Sequence, residues 1–264
     1  MTLIVALSVS AAAVAVAAAV RSTWSPCGLS MLSTITPLGE RGRGRRYRAT
    51  AWWFVCGAVL GGLCLGACMA ALAAAVGALH PSGHDAALVI AVVGSVSAAA
   101  SDAKVRWLGL PVHRRQVNET WLDQFRPWVY GMGFGWQIGV GLATYITTAG
   151  VYLLVVLGSL TGEPAMALAL GALFGSVRGL AVFLGRGITT PAALQGFHRR
   201  LAAAGPVADG AVIAVELAAA VALAALIGWP AGLGIGAVVL SVAAARRTPR
   251  HRRLRQGAGA GAHS

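Results

Sequence analysis

The residues able to do chemistry are few, and most stand in apolar surroundings. There are four cysteines, Cys27, Cys56, Cys64 and Cys68. Cys27 belongs to the run Trp24-Ser25-Pro26-Cys27-Gly28, and the other three share one apolar segment. Cys64 and Cys68 are i,i+4 and fall on one helix face. A disulfide from Cys27 to either requires Cα atoms about 4.4–6.8 Å apart. The plainer reading is that these thiols pack as small hydrophobes. Two thiolates also suit a soft metal such as Cu(I), but without a third ligand they make no site. No metal and no cofactor is therefore expected.

Two charges sit inside apolar segments. Arg178 precedes Arg186, and Glu216 follows Val207, by similar lengths of chain. At the helical rise both lie roughly 12–13 Å from the same end of their segments. Adjacent antiparallel helices would bring them level. An unpaired charge within a bilayer costs at least about 2.5 kcal/mol, so the two are expected to pair. The pair would either fix helix register or couple proton or substrate movement. Arg21, just ahead of the Ser-Pro-Cys-Gly run, is a third candidate, placed to attract an anion or to snorkel.

The elements that must hold these residues follow from composition. Of 264 residues, 57% are hydrophobic and only 11% charged, against about 25% charged in a soluble domain. Mean hydropathy is +0.73. This excludes a soluble enzyme, a disordered chain and a secreted disulfide scaffold. The net charge of +13 suggests nucleic acid, yet the arginines cluster at 41–48, 104–126, 186–200 and 246–255, always between apolar stretches. That is the distribution of cytoplasmic loops, and nucleic acid is not an expected partner.

Residues 2–20 read as a retained first span with its N-terminus outside, since no positive charge precedes them as in a signal peptide. Residues 22–39 contain Pro26 and Pro37 and read as a broken helix continuing that span. Spans at 49–78 and 86–101 follow. Residues 128–160, glycine-rich in their first half, read as one long bent span, with two short spans as the alternative. Spans at 164–185, 207–227 and 231–245 complete seven, with cationic inside loops at 40–48, 102–127 and 186–206. The tail 246–264 is basic and then Gly/Ala-rich, and is expected to be disordered. The pairs Gly57/Gly61 and Gly62/Gly66 are spaced for close helix contact. The chain is thus expected to be an all-α integral membrane protein of the inner (plasma) membrane, with its C-terminus cytoplasmic.

A duplication is visible. Residues 35–39 read Ile-Thr-Pro-Leu-Gly and residues 146–150 read Ile-Thr-Thr-Ala-Gly, each after a broken span and each before two more spans. Three spans per half invert the second half. The expected single transmembrane domain, 1–245, is therefore two inverted three-helix repeats, 1–101 and 128–227, plus one extra helix. Such repeats place sites at their interface near the midplane.

The run Trp24–Gly28 ahead of a basic loop resembles the first span of the CcdA/DsbD membrane thiol-electron carriers, which are grouped with the LysE and TauE/SafE exporters. The stretch Gly133-Phe134-Gly135-Trp136-Gln137-Ile138-Gly139 is similar to the carriers' later span, but it lacks their second-half cysteine. The resemblance implies small-solute export. Trp24, Pro26, Cys27, Gly135, Trp136 and Gln137 would line the centre, and Arg178 and Glu216 would tune coupling. A thiol-redox relay through Cys27 with Cys64 or Cys68 is the second reading. A non-catalytic membrane scaffold is the third. No reading makes the chain an enzyme. The partners expected are the lipid bilayer, a small solute, and a second copy or another membrane protein.

Overall fold

The computed structural model describes residues 2–79, 84–105 and 125–227. These residues form helices and irregular segments, with no strand among them. In chain order the helices are α1 (Thr2–Arg21), α2 (Pro26–Thr34), α3 (Pro37–Gly42), α4 (Tyr47–Leu79), α5 (His84–Asp102), α6 (Pro127–Val140), α7 (Gly150–Leu160), α8 (Pro164–Leu180) and α9 (Pro191–Ile227). Five stretches are long and apolar enough to cross a membrane: Thr2–Trp24, Tyr47–Ala78, Asp85–Asp102, Pro164–Gly187 and Pro191–Ile227. They correspond to five of the seven expected spans. The expected helix 231–245, the tail 246–264 and most of the loop 102–127 lie outside the described residues.

Two expectations are corrected. Residues 128–160 are not one bent helix. They form α6 and α7, separated by the irregular segment 141–149. The break begins at Gly141, whose φ of +73° suits glycine, and where a Cβ would fall 2.8 Å from the Phe174 ring. The stretch 186–206 is not a loop throughout, because α9 already begins at Pro191. The Thr190 hydroxyl accepts from Ala193 N–H at 3.2 Å, and proline takes the first helical position. Its polar composition concealed that start.

The Ser-Pro and Thr-Pro dipeptides act in the same local way. Ser25 caps α2 through Gly28 N–H at 3.1 Å, and Thr36 caps α3 through Gly39 N–H at 3.0 Å. Pro26 and Pro37 each follow as the first helical residue, where the missing N–H costs nothing. The expected helix break in 22–39 is therefore present, at Ser25 and again at Ile35–Thr36.

Helix α4 is the spine. Gly57 and Gly61 lie on the backbone of α6 around Met132, Trp136 and Gly139, and Gly62 and Gly66 lie on α8 around Leu168, Gly171 and Gly175. Gly135 and Gly139 of α6 and Gly175 of α8 return the contact against Phe54 and Ala58. Both spacings seen in the sequence therefore bring backbones together. Helices α6 and α7 follow one another along this spine, since Gly158 of α7 sits beside Met69 and Gly162, just past its end, beside Gly77. Gly150 is about 12 Å before Gly158, which places the α6–α7 break near the middle of α4.

The remaining helices pack in pairs. Helix α1 lies against α7, α8 and α9, while α5 lies against α9 and α7. Leu7, Ala11, Val14, Ala15 and Ala18 of α1 are buried in the larger of the main apolar clusters, with Leu154, Leu157, Phe174 and Leu223. A second cluster gathers Cys27, Met31 and Ile35 with Phe54, Tyr130 and Phe134.

Gly139→Ala should destabilise the protein by about 1–3 kcal/mol, because the new methyl meets the Ala58 carbonyl, itself backbone. Gly94→Ala should be neutral or stabilising, since its Cβ would make only a 3.6 Å contact with Leu153. Thermal unfolding in detergent, followed by circular dichroism, distinguishes the two.

Candidate functional site

The start of α7 is the polar centre of the bundle. The first N–H groups of any helix lack partners within it and carry a partial positive charge. Here Asp102, the last residue of α5, supplies the acceptor. Ala149 N–H donates to one carboxylate oxygen at 2.7 Å and the Thr148 hydroxyl donates to the other. Gly150 N–H donates in turn to the Thr148 oxygen at 3.0 Å. The Ile-Thr-Thr-Ala-Gly run thus forms a helix start stitched to α5.

Beside it, Arg21 at the end of α1 pairs with Asp209 of α9 through Nε. Arg21 also acts electrostatically on Asp102, as does Asp209. Glu216, about two turns further along α9, is fully buried, and neither carboxylate oxygen has a hydrogen-bond partner. It reaches the start of α7: a Cβ built on Gly150 would lie 3.2 Å from Glu216 Oε1 and 3.1 Å from Ala18 Cβ. Asp102 and Glu216 interact electrostatically. Residues from α1, α5, α7 and α9 therefore meet here, with three carboxyl groups to one guanidinium.

The expected Arg178–Glu216 pair does not form. Arg178 is buried, but its guanidinium donates to the Ile138 carbonyl at 2.6 Å and lies over the Phe174 ring at 5.6 Å. It is also within electrostatic reach of Cys27. Level placement along two helices was a sound inference about height and an unsound one about azimuth. Arg178 faces α6 and shares the Ile138 carbonyl of its last turn with Gly141 N–H, whereas Glu216 faces α7.

The proposed central lining separates likewise. Cys27 is buried in the second apolar cluster. Trp24 donates its indole N–H to the Leu201 carbonyl at 2.7 Å, one turn before Pro206 in α9. Pro26 starts α2, and Gly135 is pressed on α4. Trp136 is exposed and contacts Cys64 Sγ at 3.4 Å, and Gln137, its neighbour, is half-buried. These residues do not converge on one space. No disulfide joins these cysteines: Cys56, Cys64 and Cys68 lie exposed on α4 while Cys27 is interior, so the Cys27–Cys64 and Cys27–Cys68 disulfides are absent.

A second buried carboxylate escaped the sequence reading, which placed Glu40 in a cationic loop. Glu40 is fully buried and accepts hydrogen bonds from Thr50 Oγ1 at 2.6 Å and from the Tyr130 hydroxyl. Arg43 stands 3.6 Å away, and Arg45 lies over the Tyr130 ring at 5.3 Å. This group is satisfied on both oxygens and ties α3, α4 and α6 together. Asp102 and Asp209 were missed for a similar reason, being taken as span edges. The usable signal was scarcity, since only eight acidic residues occur in the whole chain.

Fold and site define a class: an all-helical protein, over the described residues, with five helices fit to cross a bilayer and a buried acidic centre at a broken helix. The chain is 32% identical over 206 residues to the methylamine utilization protein MauF of Paracoccus denitrificans, covering 76% of this chain and 72% of that one. It is 30% identical over 208 residues to MauF of Paracoccus versutus, covering 78% and 74%, and 28% identical over 167 residues to that of Methylophilus methylotrophus, covering 61% and 56%. The protein belongs to the MauF family of methylamine utilization proteins. No family model matches it, and no solved structure matches.

This membership corrects the resemblance to the LysE, CcdA/DsbD and TauE/SafE proteins, and with it the solute-exporter reading. The relatives' names do not support the thiol-relay and scaffold readings either. The misleading motif has a local cause. Ser25 and Pro26 are a helix cap and a first helical residue, which any helix start favours.

Asp102→Ala should cost about 1–2 kcal/mol, because it strips the cap from α7. Asp102→Asn should cost less, since one carbonyl oxygen still accepts from Ala149. Thermal unfolding of the purified variants measures both.

Proposed function

We propose that this protein is a membrane-embedded component of methylamine utilization, without catalytic chemistry of its own, and that its working centre is the acidic cluster at the start of α7. The carrying observation is its similarity to MauF over most of both chains. The cluster supports the location, because ionisable groups inside apolar helices are costly and are functional candidates by default.

The proposed architecture is two inverted halves, α1 to α5 and α6 to α9, with a further helix at 231–245. The α4–α8 and α5–α9 contacts each join corresponding spans of the two halves, which suits such an arrangement. The related runs 35–39 and 146–150 both carry the chain through a break into a helix, α3 or α7. The acidic centre then lies where the halves meet. Orientation follows from charge. The arginines at 41–48, 126, 186 and 199–200 stand on the cytoplasmic side of the plasma membrane, with the N-terminus outside and the C-terminus inside. The bilayer is the surrounding partner, and a small molecule is the expected ligand.

Deleting the gene should abolish growth on methylamine as sole nitrogen source and leave growth on ammonium intact. Wild-type protein should restore it, and Glu216→Gln should not. Normal growth of the deletion strain would refute the assignment. Alkaline-phosphatase fusions should be active after residue 79 and inactive after residues 46 and 200, and the opposite pattern would invert the orientation.

A further inference from the structure

We infer that Glu216 and its surroundings form a binding site for a small protonated primary amine such as methylammonium. This rests on the methylamine reading above and names the ligand of that same centre. Glu216 is fully buried, with both oxygens unpartnered. A carboxylate in that state calls for a counter-cation. Its neighbours supply an excess of negative charge: Asp102 acts on it directly, and Asp209 is already engaged by Arg21. The Thr147 hydroxyl oxygen nearby in sequence is likewise buried and unpartnered.

The chemistry of the walls selects among cations. Among the described residues no group of three or more His, Cys, Asp or Glu is placed to hold a metal ion. A hard cation would demand six or more oxygen ligands, and one unpartnered carboxylate beside Gly150 and the Ala18 methyl does not provide them. An alkylammonium brings its own N–H donors for the carboxylate and an apolar end for the alanine and glycine surface. Gly150 is the residue that lets α7 approach this carboxylate, since a side chain there would press on Glu216 Oε1. A quaternary amine lacks the N–H donors that the carboxylate needs.

The test is isothermal titration of the full-length protein in nanodiscs with methylammonium chloride, with sodium chloride and tetramethylammonium chloride as controls at equal ionic strength. Saturable binding of methylammonium alone is expected. Glu216→Gln should weaken it by at least about tenfold without lowering the melting temperature of the free protein, because it removes an unpartnered charge. Glu216→Asp, which keeps the charge but withdraws it by one methylene, should give an intermediate affinity and guards against misfolding of the first variant. No saturable binding, equal binding by the controls, or unchanged affinity in both variants overturns the site. Growth and binding are independent readouts. If methylammonium fails to bind while the deletion strain still fails on methylamine, the site falls and the functional reading stands. If it binds while growth is normal, the reverse holds.

Discussion

Backbone contact between helices is the constraint on which this protein depends. Inside a bilayer there is little hydrophobic drive for one helix to leave lipid for another, so close packing must supply the attraction. Helix α4 achieves it on two sides at once. Gly57 and Gly61 admit α6, and Gly62 and Gly66 admit α8. Everything else is placed relative to that three-helix sandwich. The α6–α7 break is held near mid-height because α6 ends against Gly61 while α7 continues past Met69 to Gly77.

The buried polar groups answer to this packing in three ways. Glu40 is surrounded by donors and works as an internal tie. Arg178 finds the Ile138 carbonyl at the end of α6, which it shares with Gly141 N–H. Glu216 finds nothing. The contrast matters, because the first two are hydrogen-bonded, as buried polar groups ordinarily are. Only the third departs from that rule, and it does so beside the positive end of α7 and at the junction of four helices. Arg21 Nη1 is likewise buried without a partner, and it belongs to the same centre, so among the described residues the unsatisfied charge gathers at one place.

Much of the scaffold was legible because hydrophobic length is a strong signal. Five spans and the two glycine pairs can be read directly from residue order, since both depend on local composition. The proline breaks at Pro26 and Pro37 were legible for the same reason. Azimuth was not. Arg178 and Glu216 stand at similar heights yet point to different neighbours, and no one-dimensional pattern records which way a helix is turned. Glu40 and the first turns of α9 were hidden by flanking arginines, whose charge mimics a loop even where the backbone is helical. The Trp-Ser-Pro-Cys-Gly run misled in the opposite direction. It combines a cap and a first-turn proline, so its occurrence says more about how a helix begins than about ancestry.

The partners of α1 set an order on biosynthesis. Helix α1 packs on α7, α8 and α9, all of which are translated much later. At ~5–20 residues per second the ribosome needs of the order of ten seconds to make the intervening chain. Throughout that interval α1 lacks these three neighbours, and Arg21 has no Asp209 to meet. Its position at the helix end lets the guanidinium reach the aqueous boundary while it waits. The seat of the earliest helix is therefore completed only when the second half of the chain has been made.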